Sequence, residues 1–319
     1  MISWGLIDLT ESVAWSVRRD QIPGAYPEAA CVQEHNGVGP GRVRPGQVPV
    51  WVKHERERLD HPNRKRAIGG GRPYKLSLQD RLIMVLTWLR LYLNTEALGF
   101  FFGLDKSNVS RNCRRLLAVL RTLGDATLGW PDPPKRGEGK TAEEALREML
   151  AIVDATEQRI RRPSNDTQQR QHYSGKKKAH TRKTGLVVDE HGRIRAATPS
   201  APGSRHDLKL VVEIQLPPGV TVLGDAGLEG LQNYYPHRSI GTPHKARRNH
   251  PLTWDQKLAN RELSCIRIVV ENTVCQLKHF QILAQQFRHA LGIYDDVFLA
   301  VVGLVNHRLD RRLCRKAVA

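Results

Sequence analysis

The sequence predicts an α/β domain preceded by an all-α segment. Three observations support this. Apolar residues recur at helical spacing between 77 and 120, a Pro/Gly-rich stretch follows at 129–140, and short β-branched runs then alternate with helical patterns. Chain length allows two domains and tails: 319 residues, 36.1 kDa.

Residues 1–68 show no sustained periodicity and are rich in Gly, Pro and Arg, as in "GVGPGRVRPGQVP". They read as a flexible basic arm. The segment 69–128 reads as three helices. Ser77 is expected to cap the first, with Asp80 in its opening turn and Leu82, Val85, Leu86, Leu89 and Leu93 on one stripe. Thr95 is expected to cap the second, which ends at Gly103. Ser107 is expected to cap the third, with Val109, Leu116, Leu117 and Leu120 inward. The third helix carries Ser110, Arg111, Arg114 and Arg115 and follows a short turn. That is the pattern of a helix-turn-helix, with a plain helical bundle as the alternative.

Residues 129–146 read as a linker and 147–319 as the α/β domain. "MLAIVD" and "GVTVLGD" are expected to be buried strands ending on Asp154 and Asp225, and "TGLVVDEHGRIRAAT" a strand, tight turn and strand. Ser204 is expected to cap a short helix, with Asp207 in its first turn. A long helix is expected over roughly 253–285 and a last one over roughly 294–314.

Net charge is +18, with a pI near 10.1, which points to a polyanionic partner, nucleic acid before an anionic membrane. No run approaches the ~20 apolar residues of a membrane helix, and the start lacks the pattern of a signal peptide. Five scattered cysteines (31, 113, 265, 275, 314) fit neither a disulfide framework nor a zinc spacing. They read as free core thiols of a reduced, cytoplasmic protein.

A carboxylate closing a buried strand is costly unless it is paired or holds a cation. Asp154 and Asp225 both stand at such positions. On the long helix, Arg267, Glu271 and Lys278 fall within about 40° of one another, on the rim of an apolar stripe. Three converging carboxylates suit hard divalent cations, and two such ions support in-line phosphoryl displacement. The simpler alternatives are a turn role for Asp154 and an i−4 ion pair of Glu271 with Arg267. Between Thr156 and Thr184 there are nine Lys or Arg against two acids. Lys176, Lys177, Lys178, Arg182 and Lys183 are expected to grip phosphates, together with Arg267 and Lys278. His206 and Asp207 either line the site or serve the start of a helix, and Asp207 is the rival for the second metal ligand.

The segments "VDATEQRIRRP", "QHYSGKKKAHTRKTGLVVD", "GSRHDL", "GDAGLEG", "TPHKARR" and "NRELSCIRIVVENTVCQLK", in this order, resemble the DDE transposases of bacterial insertion sequences related to Harbinger elements. The resemblance runs from about 69 to 312 and includes the helix-turn-helix segment. It implies a ribonuclease H-like catalytic domain (a mixed sheet flanked by helices) and two Mg²⁺ or Mn²⁺ ions per site. It also implies cleavage at inverted-repeat ends of double-stranded DNA, transfer of the 3′-hydroxyl into target DNA, and a homodimer or larger assembly. The catalytic and metal-binding acids would be Asp154, Asp225 and Glu271. The chain departs from the family pattern at Ser264, Ala226 and Leu228, where Tyr, Lys and Tyr are usual. A decayed or domesticated DNA-binding protein, or a metal-dependent nuclease unconnected to transposition, would carry much of the same pattern.

Overall fold

The computed structural model describes Pro62 and residues 74–130, 149–248 and 250–318. The arm at 1–68 lies outside these, apart from Pro62, as does the linker from 131 to 146. The chain divides into two compact units. One takes the described residues to Trp88, Leu93–Leu123 and the chain from Asp310. The other takes Leu89–Tyr92 and Gly124–Leu309.

Helices α1 (Leu78–Leu91), α2 (Thr95–Phe102) and α3 (Lys106–Thr127) follow the predicted stripes. Leu82, Val85, Leu86, Leu89, Val109, Leu116, Leu117 and Leu120 are all buried. Leu93, expected on the first stripe, lies past the end of α1 and is only half-buried. Ser77 caps α1 as expected, its Oγ accepting from the Asp80 amide at 3.1 Å. The other two caps shift by one and two residues. Asn94, not Thr95, accepts from the Ala97 amide at the start of α2. Asp105, not Ser107, accepts from the amides of Ser107 and Asn108 at the start of α3. All four are capping types, and the one that stands where the backbone turns into the helix takes the role. Gly103 ends α2 in the left-handed region, at φ 63°.

The turn from α2 to α3 folds back against Gly99, whose carbonyl accepts from the Leu104 amide at 2.9 Å. A Cβ on Gly99 would sit 2.3 Å from the Leu104 carbonyl oxygen. That neighbour is backbone and cannot swing away. Gly99→Ala is therefore expected to destabilise the helical unit by about 1–3 kcal/mol or more. The check is a thermal melt followed by circular dichroism.

The second unit is built on a mixed seven-stranded sheet. Its strands are β1 (Leu150–Arg159), β2 (Tyr173–Ser174), β3 (Ala179–Val188), β4 (Ile194–Ala197), β5 (Ala201–Pro202), β6 (Thr221–Leu223) and β7 (Ile240–Gly241). The order is β2-β3-β1-β6-β7, with β4 and β5 also on β3. β1 pairs antiparallel with β3 and parallel with β6. The helices are α4 (Asp166–His172), α5 (Asp207–Val211), α6 (Trp254–Lys278), α7 (Gln281–Ala284) and α8 (Tyr294–Val318). This helical unit followed by a mixed sheet flanked by helices is the predicted fold class, a ribonuclease H-like arrangement.

Several boundaries differ from expectation. β1 does not stop at Asp154. It runs on to Arg159, because β3 stays paired with it through Arg159↔Thr181. The cationic tract after Asp154 is thus mostly strand and hairpin, not loop. The long helix breaks after Lys278, and α7 resumes at Gln281. Of the described thiols only Cys113 is buried, its pKa pushed up to about 12 by burial, while Cys265 and Cys275 are exposed.

Alternation along the strands sorts the two faces of the sheet. Ala151, Val153, Val187 and Val222 pack with Val211 of α5 and with Leu228 and Leu231. The intervening residues, Ile152 and Leu223, point to the other face. There a Cβ on Gly241 would meet both Leu223 and Leu263 of α6. Asn306 of α8 is fully buried, its amide accepting from the Ile194 N–H and donating to the Ile194 carbonyl, each at 2.9 Å.

Candidate active site

The parallel pairing of β1 with β6 ends at Ile152↔Leu223. Asp154 and Asp225 each lie two residues further along. They therefore stand side by side just past the end of the parallel pairing, Asp154 within β1 and Asp225 beyond β6, on the face that carries α6. Gly224 remains tied to β7, donating to the Gly241 carbonyl at 2.9 Å, and this holds Asp225 in line. Gly227 lets the carboxylate fold close: a Cβ there would lie 3.1 Å from Asp225 Oδ1.

The Asp154 carboxylate accepts from the Ala155 amide at 2.8 Å. Burial raises its pKa first of all. The Ala155 hydrogen bond lowers it, Asp225 raises it, Arg267 lowers it and Asp207 raises it. The Asp225 carboxylate caps nothing, although it stands at the start of a 3₁₀ turn, and no hydrogen bond or ion pair holds it among the described residues. The result is a pocket of negative charge only partly offset by Arg267, whose Nε is buried without a hydrogen-bond partner.

Asp207, in the first turn of α5, sits 2.9 Å from Lys183 Nζ. Lys183 is 8% exposed and also donates to the Arg205 carbonyl at 3.0 Å. It does not offer its ammonium to solvent as expected. Its position on β3 faces the sheet interior, and the acid meets it there. Arg182 is likewise engaged, donating to the Ser200 hydroxyl and carbonyl at 2.9 and 2.7 Å. Lys176, Lys177 and Lys178 stand exposed at the tip between β2 and β3. Lys278 lies near both this tip and the acids. Burial and Lys177 lower its pKa, against opposing pulls from Asp154 and Glu157.

Glu271 is exposed on α6 and makes no ion pair with Arg267 or any other described residue. It is not among the groups acting on Asp154. Among the described residues, no three His, Cys, Asp or Glu converge to hold a metal. The structure therefore brings Asp154, Asp225, Asp207 and Arg267 together and leaves Glu271 outside that cluster. His206, not Ser204, caps α5, its Nδ1 accepting from the Leu208 amide at 3.2 Å, because the helix begins only at Asp207.

The "GSRHD" stretch acquires a structural meaning that sequence reading missed. A Cβ on Gly203 would meet Thr181 Oγ1 at 2.0 Å and the His172 carbonyl at 2.7 Å. The glycine lets this segment lie flat against β3, which delivers Asp207 to Lys183. In the helical unit, Arg111 and Arg114 are exposed. Arg115 donates to the Tyr74 hydroxyl and lies over its ring.

Together, a helical unit with exposed arginines and a mixed sheet with two acids at its parallel edge define a nuclease-type architecture. Residues 153–306 match the family described as DDE superfamily endonuclease, and residues 74–125 match the helix-turn-helix of DDE superfamily endonuclease. The chain belongs to the DDE superfamily endonucleases. A curated protein of Microchaete diplosiphon, "Probable transposase for insertion sequence element IS702", is 29% identical over 241 residues, covering 75% of this chain and 83% of its own.

Enzymes of this superfamily use divalent metals. The donor set fits one: two adjacent carboxylates, one raised in pKa by burial and like charge and the other without a partner, are oxygen ligands for a hard cation.

Proposed function

We propose that the protein is a transposase that cleaves DNA at the inverted-repeat ends of its element and joins the freed 3′-hydroxyl to target DNA. The observation that supports this best is the pair Asp154 and Asp225 just past the end of the parallel β1–β6 pairing, under-neutralised and on the face that carries α6. These two would hold the metal, with Glu271 completing the set by a movement of α6 or of its own side chain. A pair of Mg²⁺ or Mn²⁺ ions supplies an activated water and stabilises the leaving oxygen. Arg267, by its nearby positive charge, partly offsets the burial and like charge that raise the Asp154 pKa. Lys278 and the hairpin lysines 176–178 bind the phosphate backbone beside the scissile bond. In the domain reading, 69–128 binds DNA through the exposed face of α3, 147–319 carries the chemistry, and two or more copies act together on double-stranded DNA. No described helix is long and apolar enough to cross a membrane. As expected of a transposase acting on DNA, the site of action in this proposal is the cytoplasm.

A second reading is favoured by one observation: Glu271 stands apart from the two aspartates. In that reading the protein binds DNA without cutting it. Incubating the full chain with short end-like duplexes, with and without Mg²⁺ or Mn²⁺, separates the two. Metal-dependent nicking is expected, with joining to a second duplex. Tight binding with no nicking under either metal would favour the binder.

A further inference from the structure

Helix α6 shows a second pattern, unrelated to the acids. Trp254, Leu258, Arg261, Cys265, Ile268 and Asn272 follow alternating steps of four and three, and all are exposed. Trp254, Leu258 and Ile268 are 73%, 41% and 52% exposed. This is the spacing of a two-helix seam. At ~100° per residue it lies on the far side of α6 from Val270, Thr273 and Leu277, which face the fold. Helix α6 thus packs its own unit with one side and presents an unused seam, on a helix of about 37 Å, with the other.

We propose that this seam pairs with the α6 of a second copy of the chain, antiparallel, about a two-fold axis near Leu263. Charge identifies the occupant. The chain carries +18, yet on the exposed side of α6 Lys257 and Arg261 stand against Asp255, Glu262 and Glu271, so this face is poorly suited to DNA phosphates. The pattern is also complementary to itself when reversed. An axis near Leu263 sets Leu258 against Ile268 of the second copy, twice over. It lays Trp254 across Asn272 of the second copy. It also brings Arg261 toward Glu262 of the second copy, again twice over. A parallel pairing would instead set Arg261 on Arg261 at the seam. Arg261 and Asn272, polar at seam positions, fix this register at a cost in stability. The contact is isologous and closes as a dimer.

This deepens the two-copy assembly proposed above, and its test needs neither DNA nor cleavage. The mass of the full chain is measured without DNA by sedimentation equilibrium. A concentration-dependent dimer is expected, with Leu258→Asp/Ile268→Asp raising its dissociation constant about tenfold or more. The variant Leu258→Cys/Ile268→Cys, oxidised with diamide and mapped by peptide mass, is expected to link 258 of one copy to 268 of the other. A monomeric wild type overturns the proposal. So does a dimer undiminished by the aspartates, or a 258–258 link. If the aspartates lower the melting temperature of a monomer, the seam is covered by the chain itself, and the proposal also fails. Because nicking is scored separately, loss of the dimer does not decide the reading of the acids, nor the reverse.

Discussion

Asp154→Asn should make the metal-free protein more stable while removing its metal-dependent nicking. Asp154 is held largely from water and feels the charge of Asp225 and Asp207, with Arg267 opposing them. The fold therefore favours its protonated form over its charged one. For an acid whose folded pKa is raised, the favourable contribution is complete below the unfolded value, near pH 4, and is lost as pH rises through the folded value. Above that range wild type carries the full penalty and the Asn variant does not. The gap in melting temperature should thus be absent in acid and open with rising pH. A gain of ~1 kcal/mol would appear as roughly 2–4 °C in a domain of this size. Divalent cation should close the gap from the other side, because binding to the folded state alone raises the wild-type melting temperature. Nicking should fall by roughly 10²–10⁴, the worth of several kcal/mol of metal-borne charge stabilisation. DNA affinity should hold or rise slightly, since a negative charge leaves the phosphate-facing edge. A variant less stable than wild type at neutral pH, without metal, would mean that Asp154 is a structural acid and not a waiting ligand.

The sequence made the sheet edge legible because β-branched runs ending near acids leave a period that survives without tertiary information. It misplaced the end of β1, since Ala155 to Arg159 are small, polar or charged. What keeps them in a strand is eight residues of pairing with β3, a long-range fact that no local pattern contains. The helix caps show the same limit on a smaller scale. Asn94 next to Thr95, and Asp105 near Ser107, are all good capping residues, and only backbone geometry chooses between them. Glycines were the most underread. Gly99 and Gly203 owe their places to backbone oxygens 2.3 and 2.7 Å from where a Cβ would be, neighbours invisible along the chain. At the site, the two aspartates were recoverable from strand logic. The role of Lys183 was not, because a lysine among eight other basic residues reads as part of a surface until an acid from a distant helix reaches it.

That lysine gives the sharpest test of the difference between a buried pair and a phosphate-binding side chain. Lys183→Ala leaves Asp207 within electrostatic reach of Asp154 and without its ion-pair partner. Removing one partner of a buried pair costs about 3–5 kcal/mol. Asp207 keeps about a third of its side-chain surface in solvent, so about 2–3 kcal/mol is expected here, or roughly 4–10 °C. Asp207→Asn in the same chain should recover part of that loss, and a double-mutant cycle should return a coupling of about 0.5–3 kcal/mol. Replacing Lys176, Lys177 and Lys178 by alanine should do the opposite. These side chains are exposed at a hairpin tip, so stability should stay within about 0.5 kcal/mol of wild type. DNA affinity should weaken, and its salt dependence should flatten by about 0.9 for each phosphate no longer neutralised. If Lys183→Ala instead matches the hairpin variant, with an unchanged melt and a flatter salt dependence, then its ammonium reaches DNA, and the inward pairing with Asp207 is not what the lysine is for.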